Sequence, residues 1–218
     1  MNIWLLSPFS PLPEPGIHES RSATLARHLT QAGHHVVWFS MDWDHRRKET
    51  VGEVVPDFAN NSEPGTSSPK ILLIPVPAYS KNISLRRFLS HRIWGKRLVR
   101  MAKSKVRSGE LSAPDLLLAS SPPLDAPRAA FRLQKHFKCQ VKIDLTDLWP
   151  HSFTRIVHPW LLSYLFRQVK RHWRKAHGIS AMSQEYLDEV LLSAPKQNTH
   201  LCYIGGTVGD VVPDLATS

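Results

Sequence analysis

The chain has 218 residues, of which 42% are hydrophobic, and a formal net charge of +10 at pH 7. A chain of this length and composition can bury a core without disulfides or metals, and it has no apolar stretch long enough to span a bilayer. The positive charge indicates an anionic partner, and it leaves nucleic acid, an anionic membrane and a phosphorylated substrate open.

Short apolar runs alternate with longer helical patterns along the chain, which is typical of a parallel sheet covered by helices. We therefore predict an α/β fold with a doubly wound, Rossmann-like parallel sheet and helices on both of its faces. The predicted strands are Ile3–Leu6, His35–Phe39, Ile71–Val76, Leu116–Ala119, Val141–Leu145, Gly178–Ala181 and Leu201–Ile204.

The clearest predicted helix runs from about Ser20 to Ala32. Its apolar residues share one face, and Gly33 supplies the left-handed residue that ends it. The segment Asp44–Lys70 is polar, contains several turn residues and has little periodicity, so we predict a surface excursion there.

The two cysteines, Cys139 and Cys202, lie inside apolar runs rather than in paired loops. This placement predicts reduced core residues of a cytosolic protein. The sequence has no CxxC motif and no His/Cys cluster, so we expect neither a metal nor another cofactor.

Two acid-free blocks hold most of the positive charge, at Lys81–Arg107 and Leu148–Gln184. The second contains a predicted amphipathic helix, Val157–Trp173, whose apolar stripe suits either a core or a membrane surface. In the first block the apolar residues do not share one face, which favours a membrane interface over a packed core. The residues predicted to contact a membrane are Arg86, Arg87, Trp94, Lys96, Arg97, Arg167, Lys170 and Arg171.

Several motifs follow one another over nearly the whole chain. A Leu-x-x-x-Gly-His-x-Val turn ends the first predicted helix, a Ser-Pro-Pro loop follows one strand, and an Asp-x-x-Asp-Leu-Trp-Pro run follows the next. The segments that carry these motifs and their neighbours are 13–19 with Arg21, 25–37, 114–123, 144–150, 177–183 and 202–206.

Together these motifs resemble glycosyltransferase family 4, and the run at 144–150 is similar to the signature of its subgroup that acts in surface-polysaccharide assembly. The resemblance implies that residues 1–206 form the acceptor-side, amino-terminal half of a GT-B glycosyltransferase. Residues 207–218 would begin a linker or form a tail. The donor-binding half is expected to be absent from this chain, or to be a separate subunit.

The activity that the resemblance implies is transfer of a hexose or N-acetylhexosamine from a nucleotide sugar to a lipid-linked or polysaccharide acceptor in surface-glycan biosynthesis. The expected location is cytoplasmic, on the inner face of the cytoplasmic membrane. Two alternatives stay open: a non-catalytic membrane-recruiting subunit of a split transferase, and a basic nucleic-acid-binding protein. The chain shows no nucleic-acid recognition motif, so we expect no nucleic-acid partner.

Candidate catalytic residues follow the strand at Val141–Leu145, because ligands of parallel sheets bind where the strands end. Asp147 and His151 are predicted to perform acid–base work on the acceptor hydroxyl. The alternative for Asp147 is a structural cap of the turn that follows. The remaining residues of the predicted acceptor cleft are Ser121, Asp144 and Trp149.

The loop before the first helix is a candidate donor-phosphate site. Gly16 would place backbone N–H groups and a helix amino-terminus beside the cleft, with His18 and Glu19 in the same loop. The alternative is that Gly16 is a turn glycine among prolines. The position of this loop in the family carries the prediction more than the glycine does.

Overall fold

A computed structural model of the chain describes residues 1–13, 19–51, 68–81, 84–150 and 158–202. Seven strands form one parallel sheet in the order β5-β2-β1-β6-β7-β8-β9. Two short antiparallel strands, β3 and β4, form a hairpin outside the sheet. The strands are β1 (Asn2–Leu6), β2 (His35–Met41), β3 (Trp43–Asp44), β4 (Glu49–Thr50), β5 (Lys70–Ile74), β6 (Leu116–Ser121), β7 (Gln140–Leu145), β8 (Gly178–Ala181) and β9 (Thr199–Leu201).

Five helices cover the sheet, and their packing divides them between its two faces. The first helix packs on the face that presents Ile3 and Leu5, whereas the next two pack on the face of Trp4 and Leu6. The last two helices pack on the same face as the second and third helices, where they cover Ile143. The helices are α1 (Arg21–Gln31), α2 (Leu85–Arg107), α3 (Asp125–Phe137), α4 (Pro159–Lys175) and α5 (Gln184–Ser193).

The structure confirms the predicted doubly wound sheet, and six of its strands lie within two residues of their predicted limits. The seventh, predicted at Leu201–Ile204, overlaps β9 only at Leu201, and residues 203–204 lie outside the described residues. The first helix also agrees: Ser20 accepts a hydrogen bond from the N–H of Ala23, and Gly33 has φ +82° after the last turn. A glycine suits that position because a Cβ is disfavoured there.

Helix α2 corrects the prediction that it lacks a packed side, although Phe88 and Leu89, which are 47% and 55% exposed, do lie off that side as predicted. Its buried residues recur every three to four positions, which is the period of one helix side. The stripe was hidden because four of its members are polar or small, namely Ser90, His91, Gly95 and Ala102, alongside Trp94 and Leu98. A Cβ at Gly95 would lie 3.3 Å from the carbonyl oxygen of Asp125, so the glycine allows α2 to approach α3 closely.

Two further predictions need correction. The segment after β2 is not irregular throughout, because residues 43–50 form the β3–β4 hairpin. Cys202 is exposed rather than part of the core, while Cys139 is buried as predicted. Within the described part of the chain, no helix is both long and apolar enough to cross a membrane.

Candidate functional site at the carboxyl edge of the sheet

Three polar residues lie side by side where β6, β7 and β8 approach their carboxyl ends. Ser120 pairs in register with Asp144, and Asp144 pairs with Ser180. Side chains alternate between the faces of a strand, so Asp144 points away from Ile143 and Leu145 and toward the α1 face. The sheet therefore presents a polar row at the edge where ligands of such folds bind.

Asp144 is 5% exposed, and its carboxylate is held by Arg21 at the start of α1. The Arg21 guanidinium donates two hydrogen bonds of 2.8 Å, one to each carboxylate oxygen, and a third of 2.8 Å to the carbonyl of Cys202. Ser180 donates a 2.6 Å hydrogen bond to the same carboxylate. The hydrogen bonds that Arg21 donates to Asp144 raise the pKa of Arg21 above its usual value, so the guanidinium keeps its charge.

Next to this pair, four hydroxyl groups form a serine cluster between β1, β6 and α1. Its contacts are 2.6 to 2.8 Å long. Hydroxyls both donate and accept, so the cluster satisfies itself and can also exchange hydrogen bonds with a polar ligand. Its members are Ser7, Ser10, Ser22 and Ser120.

Glu19, predicted in the donor-phosphate loop, has its carboxylate engaged by the first turns of α1. Arg27 approaches it at 3.0 Å, and the hydroxyl of Thr24 donates to it at 3.2 Å. The negative charge of Glu19 is thus balanced by Arg27. The other two loop residues, Gly16 and His18, lie outside the described residues, so their predicted role stays a prediction.

The predicted acceptor and catalytic residues lie at the carboxyl ends of β6 and β7 or directly after β7. Ser121 is buried, and its carbonyl accepts hydrogen bonds from the N–H and the hydroxyl of Thr146 at 3.0 and 3.3 Å. Asp147 and Trp149 are half-buried, and Trp149 packs against the core beneath α4. Asp147 makes no hydrogen bond or ion pair with another described residue. His151 lies outside the described ranges.

The predicted membrane residues separate into three groups. Trp94 is 0% exposed, and its indole N–H donates to the carbonyl of Ser40 at 3.1 Å, so it belongs to the core and cannot reach a membrane. Arg87 and Lys170 are half-buried. The exposed members are Arg86, Lys96, Arg97, Arg167 and Arg171.

Two exposed aromatic residues on α4 were not predicted from the sequence. Trp160 is 67% exposed and Tyr164 is 44% exposed. They share a helix side with Arg167 and Arg171, because the four positions are spaced by four, three and four residues. The spacing was readable from the sequence, but the buried stripe of the same helix was the stronger signal.

The sequence also did not predict Arg21, Ser180 or the serine cluster as site residues. Arg21 belongs to one of the motifs, but its partner Asp144 is 123 residues away in the chain, so their pairing has no local signal. No group of three or more His, Cys, Asp and Glu that could hold a metal occurs in the described part of the chain. The expectation that no metal takes part stays a prediction.

No protein-family model matches the chain, and no curated protein matches it either. Solved structures do resemble it. Sucrose-phosphate synthase from Thermosynechococcus elongatus superposes with a TM-score of 0.59 at 14% identity, over 94% of this chain and 48% of the synthase.

Two plant enzymes resemble the chain in the same way. For a UGT transferase from Siraitia grosvenorii in complex with UDP, the TM-score is 0.50 at 11% identity, over 93% of this chain and 51% of the enzyme. For Arabidopsis thaliana UGT89C1 complexed with UDP-L-rhamnose it is 0.50 at 14% identity, over 95% and 52%. The chain spans about half the length of each of these three structures. It has a Rossmann-like α/β fold that matches one half of a GT-B glycosyltransferase.

Proposed function

We propose that this chain is the acceptor-binding part of a glycosyltransferase, which transfers a sugar from a nucleotide-sugar donor to a lipid-linked or polysaccharide acceptor. The observation that carries the proposal is the likeness of nearly the whole chain to half of a sucrose-phosphate synthase. The motifs that resemble family 4 support the surface-polysaccharide subgroup and the transfer of a hexose or N-acetylhexosamine.

The donor is proposed to be a nucleotide sugar that a second domain or subunit holds. Two of the similar structures contain UDP or UDP-L-rhamnose, and each is about twice as long as the matched region. We therefore expect this chain alone to bind sugar nucleotides weakly and to show no measurable transfer. Calorimetry with a panel of UDP- and GDP-sugars tests this; micromolar affinity with a preferred sugar would contradict it.

The proposed acceptor site consists of the polar row at the carboxyl edge, the serine cluster and the half-buried Asp147. These groups lie near strand ends, where hydroxyls and carboxylates can bind a sugar and orient its reactive hydroxyl. Asp144 is proposed to act through its position rather than as a base, because Arg21 and Ser180 occupy its carboxylate. Asp147, with His151, is the proposed acid–base residue.

We predict that Asp147→Asn lowers the transfer rate about a hundredfold when a donor domain is supplied, while thermal stability is nearly unchanged. The substitution keeps the size of the side chain and removes the charge that would assist proton transfer. Parallel measurement of turnover and melting temperature separates this role from capping. A lowered melting temperature with normal turnover would show that Asp147 only caps the following turn.

Membrane attachment is proposed through α4 and the neighbouring basic helices, at the inner face of the cytoplasmic membrane. Asp125 is the one acidic residue within α2, α3 and α4, so this layer presents a strongly positive surface. Exposed aromatic and arginine side chains on one side of α4 suit the interface of an anionic membrane. This positive surface is the observation that supports a lipid-linked acceptor.

We predict that Trp160→Ser combined with Arg167→Gln weakens binding to anionic vesicles, measured by sedimentation, about thirtyfold. An indole inserted into the interface and one charge near the membrane surface each contribute on the order of 1 kcal/mol. The control is Arg107→Gln, which removes one exposed charge from the far end of α2 and is expected to change binding less than twofold. Equal binding of all three proteins to vesicles, together with salt-sensitive binding to DNA, would favour the nucleic-acid alternative.

A further inference from the structure

Exposed hydrophobic side chains are grouped at one end of the layer that α2, α3, α4 and α5 form. Leu85, Phe88 and Leu89, in the first two turns of α2, are 88%, 47% and 55% exposed. Trp160 and Tyr164 lie in the first two turns of α4. Exposed hydrophobic side chains are ordinary when they are scattered singly, whereas a group of them marks a contact surface.

The first turns of α2 and α4 lie at the same edge of the sheet. A helix that joins two parallel strands begins where the first strand ends, so both helices start at the carboxyl edge. The contacts agree, because the ring centroid of His91 in α2 lies 4.7 Å from that of Phe9 in the loop after β1. In α4, Leu161 packs in one cluster with Leu148, which follows β7. The exposed hydrophobic groups therefore share an edge with the proposed acceptor site.

Helix α3 lies between α2 and α4 and joins their two exposed groups into one surface. On one side, Gly95 lets α2 approach the start of α3 closely. On the other, the ring centroid of Phe131 in α3 lies 5.6 Å from that of His172 in α4. Three neighbouring helices thus present a broad surface, with hydrophobic side chains at both of its ends.

The surface between the two hydrophobic groups is positively charged. Arg92 of α2 and Arg128 of α3 lie 3.4 and 3.6 Å from the carboxylate of Asp125, so one negative charge faces two positive ones. Residues 81–107 contain no Asp or Glu, and Arg86 and Lys96 of α2 are exposed. The positive charge is therefore in excess over the whole surface.

This combination of charge and apolar groups fits an anionic lipid bilayer. A second copy of the chain would bring two positive surfaces together, and like charges repel. In a bilayer interface, leucine and aromatic side chains enter the acyl boundary while neighbouring arginines bind lipid phosphates. Trp and Tyr also favour the headgroup level.

We propose that the first turns of α2 and α4 insert into an anionic lipid surface, so that the membrane contacts the carboxyl edge of the sheet rather than the sides of the helices. Charge does not select this orientation, because the last turns of both helices are also basic. The exposed hydrophobic side chains do, since those of α2 and α4 lie in the first two turns. The inference deepens the proposed membrane attachment and rests on it. It places the proposed acceptor site beside the headgroups, where a lipid-linked sugar is presented.

Sedimentation with phosphatidylcholine vesicles, with and without phosphatidylglycerol, tests the insertion. Leu85→Ser is expected to weaken binding to the anionic vesicles about tenfold, because a leucine side chain no longer enters the apolar boundary. The matched control is Leu192→Ser. Leu192 is 79% exposed but lies near the end of α5, at the opposite edge of the sheet, so its loss should change binding less than twofold. Both variants are expected to keep the wild-type melting temperature, since both side chains are exposed.

Two arginines of α2 distinguish the proposed orientation from one in which the helices lie flat on the membrane. Arg86 lies in the first turn and Arg107 at the end of the helix, and both are exposed. Arg86→Gln is expected to weaken binding to anionic vesicles about fivefold, whereas Arg107→Gln should change it less than twofold. Equal losses would show flat docking and would overturn the orientation.

A fluorescent label reports insertion directly. The two native cysteines are Cys139, which is buried, and Cys202, which is exposed, so Cys202→Ser provides a background for labelling. An environment-sensitive label on Leu85→Cys is expected to shift its emission to shorter wavelength when anionic vesicles are added. The same label on Leu192→Cys should not shift. A shift at both positions, or at neither, contradicts insertion through α2.

The proposal is overturned if Leu85→Ser binds vesicles like the wild type, or if Leu192→Ser weakens binding as much. If only Trp160→Ser with Arg167→Gln weakens binding, the α2 contact is rejected and membrane attachment stands. If wild-type protein does not bind anionic vesicles, both are rejected, while the glycosyltransferase assignment is still tested by Asp147→Asn. Self-association in analytical ultracentrifugation that Leu85→Ser abolishes would assign the surface to a second copy and overturn the proposal.

Discussion

Replacing Asp144 with asparagine is expected to lower the free energy of unfolding by about 3 kcal/mol, because it removes the carboxylate charge that Arg21 binds while the guanidinium stays largely buried. The side chains of Arg21 and Asp144 are 13% and 7% exposed, and two hydrogen bonds join them. Solvent therefore screens the lost attraction little. Urea unfolding at pH 7 measures the change.

The matched control is Glu49→Gln, which also removes one carboxylate from an ion pair. Arg47 and Glu49 are 46% and 61% exposed and 3.9 Å apart, so this substitution should cost less than about 1 kcal/mol. Adding Arg21→Met to Asp144→Asn should recover part of the lost stability, since the largely buried positive charge is then removed as well. If Asp144→Asn costs no more than Glu49→Gln, the buried pair is not a stabilising link.

Trp94→Ala is expected to cost about 4 kcal/mol, because it empties a large, fully buried volume between α2 and the sheet. The substitution also leaves the carbonyl of Ser40 without the indole donor. Trp94→Phe keeps most of the packing and is expected to cost about half as much. Thermal or urea unfolding measures both variants.

The same variants test whether Trp94 belongs to the membrane surface. Trp94→Phe should leave sedimentation with anionic vesicles unchanged, since the side chain is not exposed. Trp160→Ala should do the opposite, weakening sedimentation while changing stability by less than about 0.5 kcal/mol. If Trp94→Ala lost vesicle binding but kept normal stability, the assignment of Trp94 to the core would be contradicted and Trp94 would belong to the membrane-binding surface.

The strands were predictable because central strands of a parallel sheet are buried on both faces. Each therefore reads as a short continuous apolar run, such as Ile3–Leu6. Helix α1 was predictable from its cap and its terminal glycine, which are local signals. The buried side of α2 was not, because the polarity of Ser90 and His91 did not reveal that they are buried. Tertiary packing decides their burial.

The candidate site was only partly predictable for a related reason. Asp144 lies near the end of a strand, and that position can be predicted from the sequence. Its salt bridge with Arg21 depends on how β7 and α1 are brought together across the sheet. Contacts between distant segments follow from the tertiary fold, which local patterns do not specify.

The position of β1 in the sheet constrains how the chain folds as the ribosome makes it. β1 pairs with β2 on one side and with β6 on the other, and β6 begins at Leu116. Until the second half of the chain has emerged, β1, β2 and β5 can assemble only as a sheet whose apolar β1 edge is unpaired. An exposed strand edge is a template for aggregation. We therefore expect translation speed and chaperone access over the stretch that encodes α2 to affect the yield of folded protein.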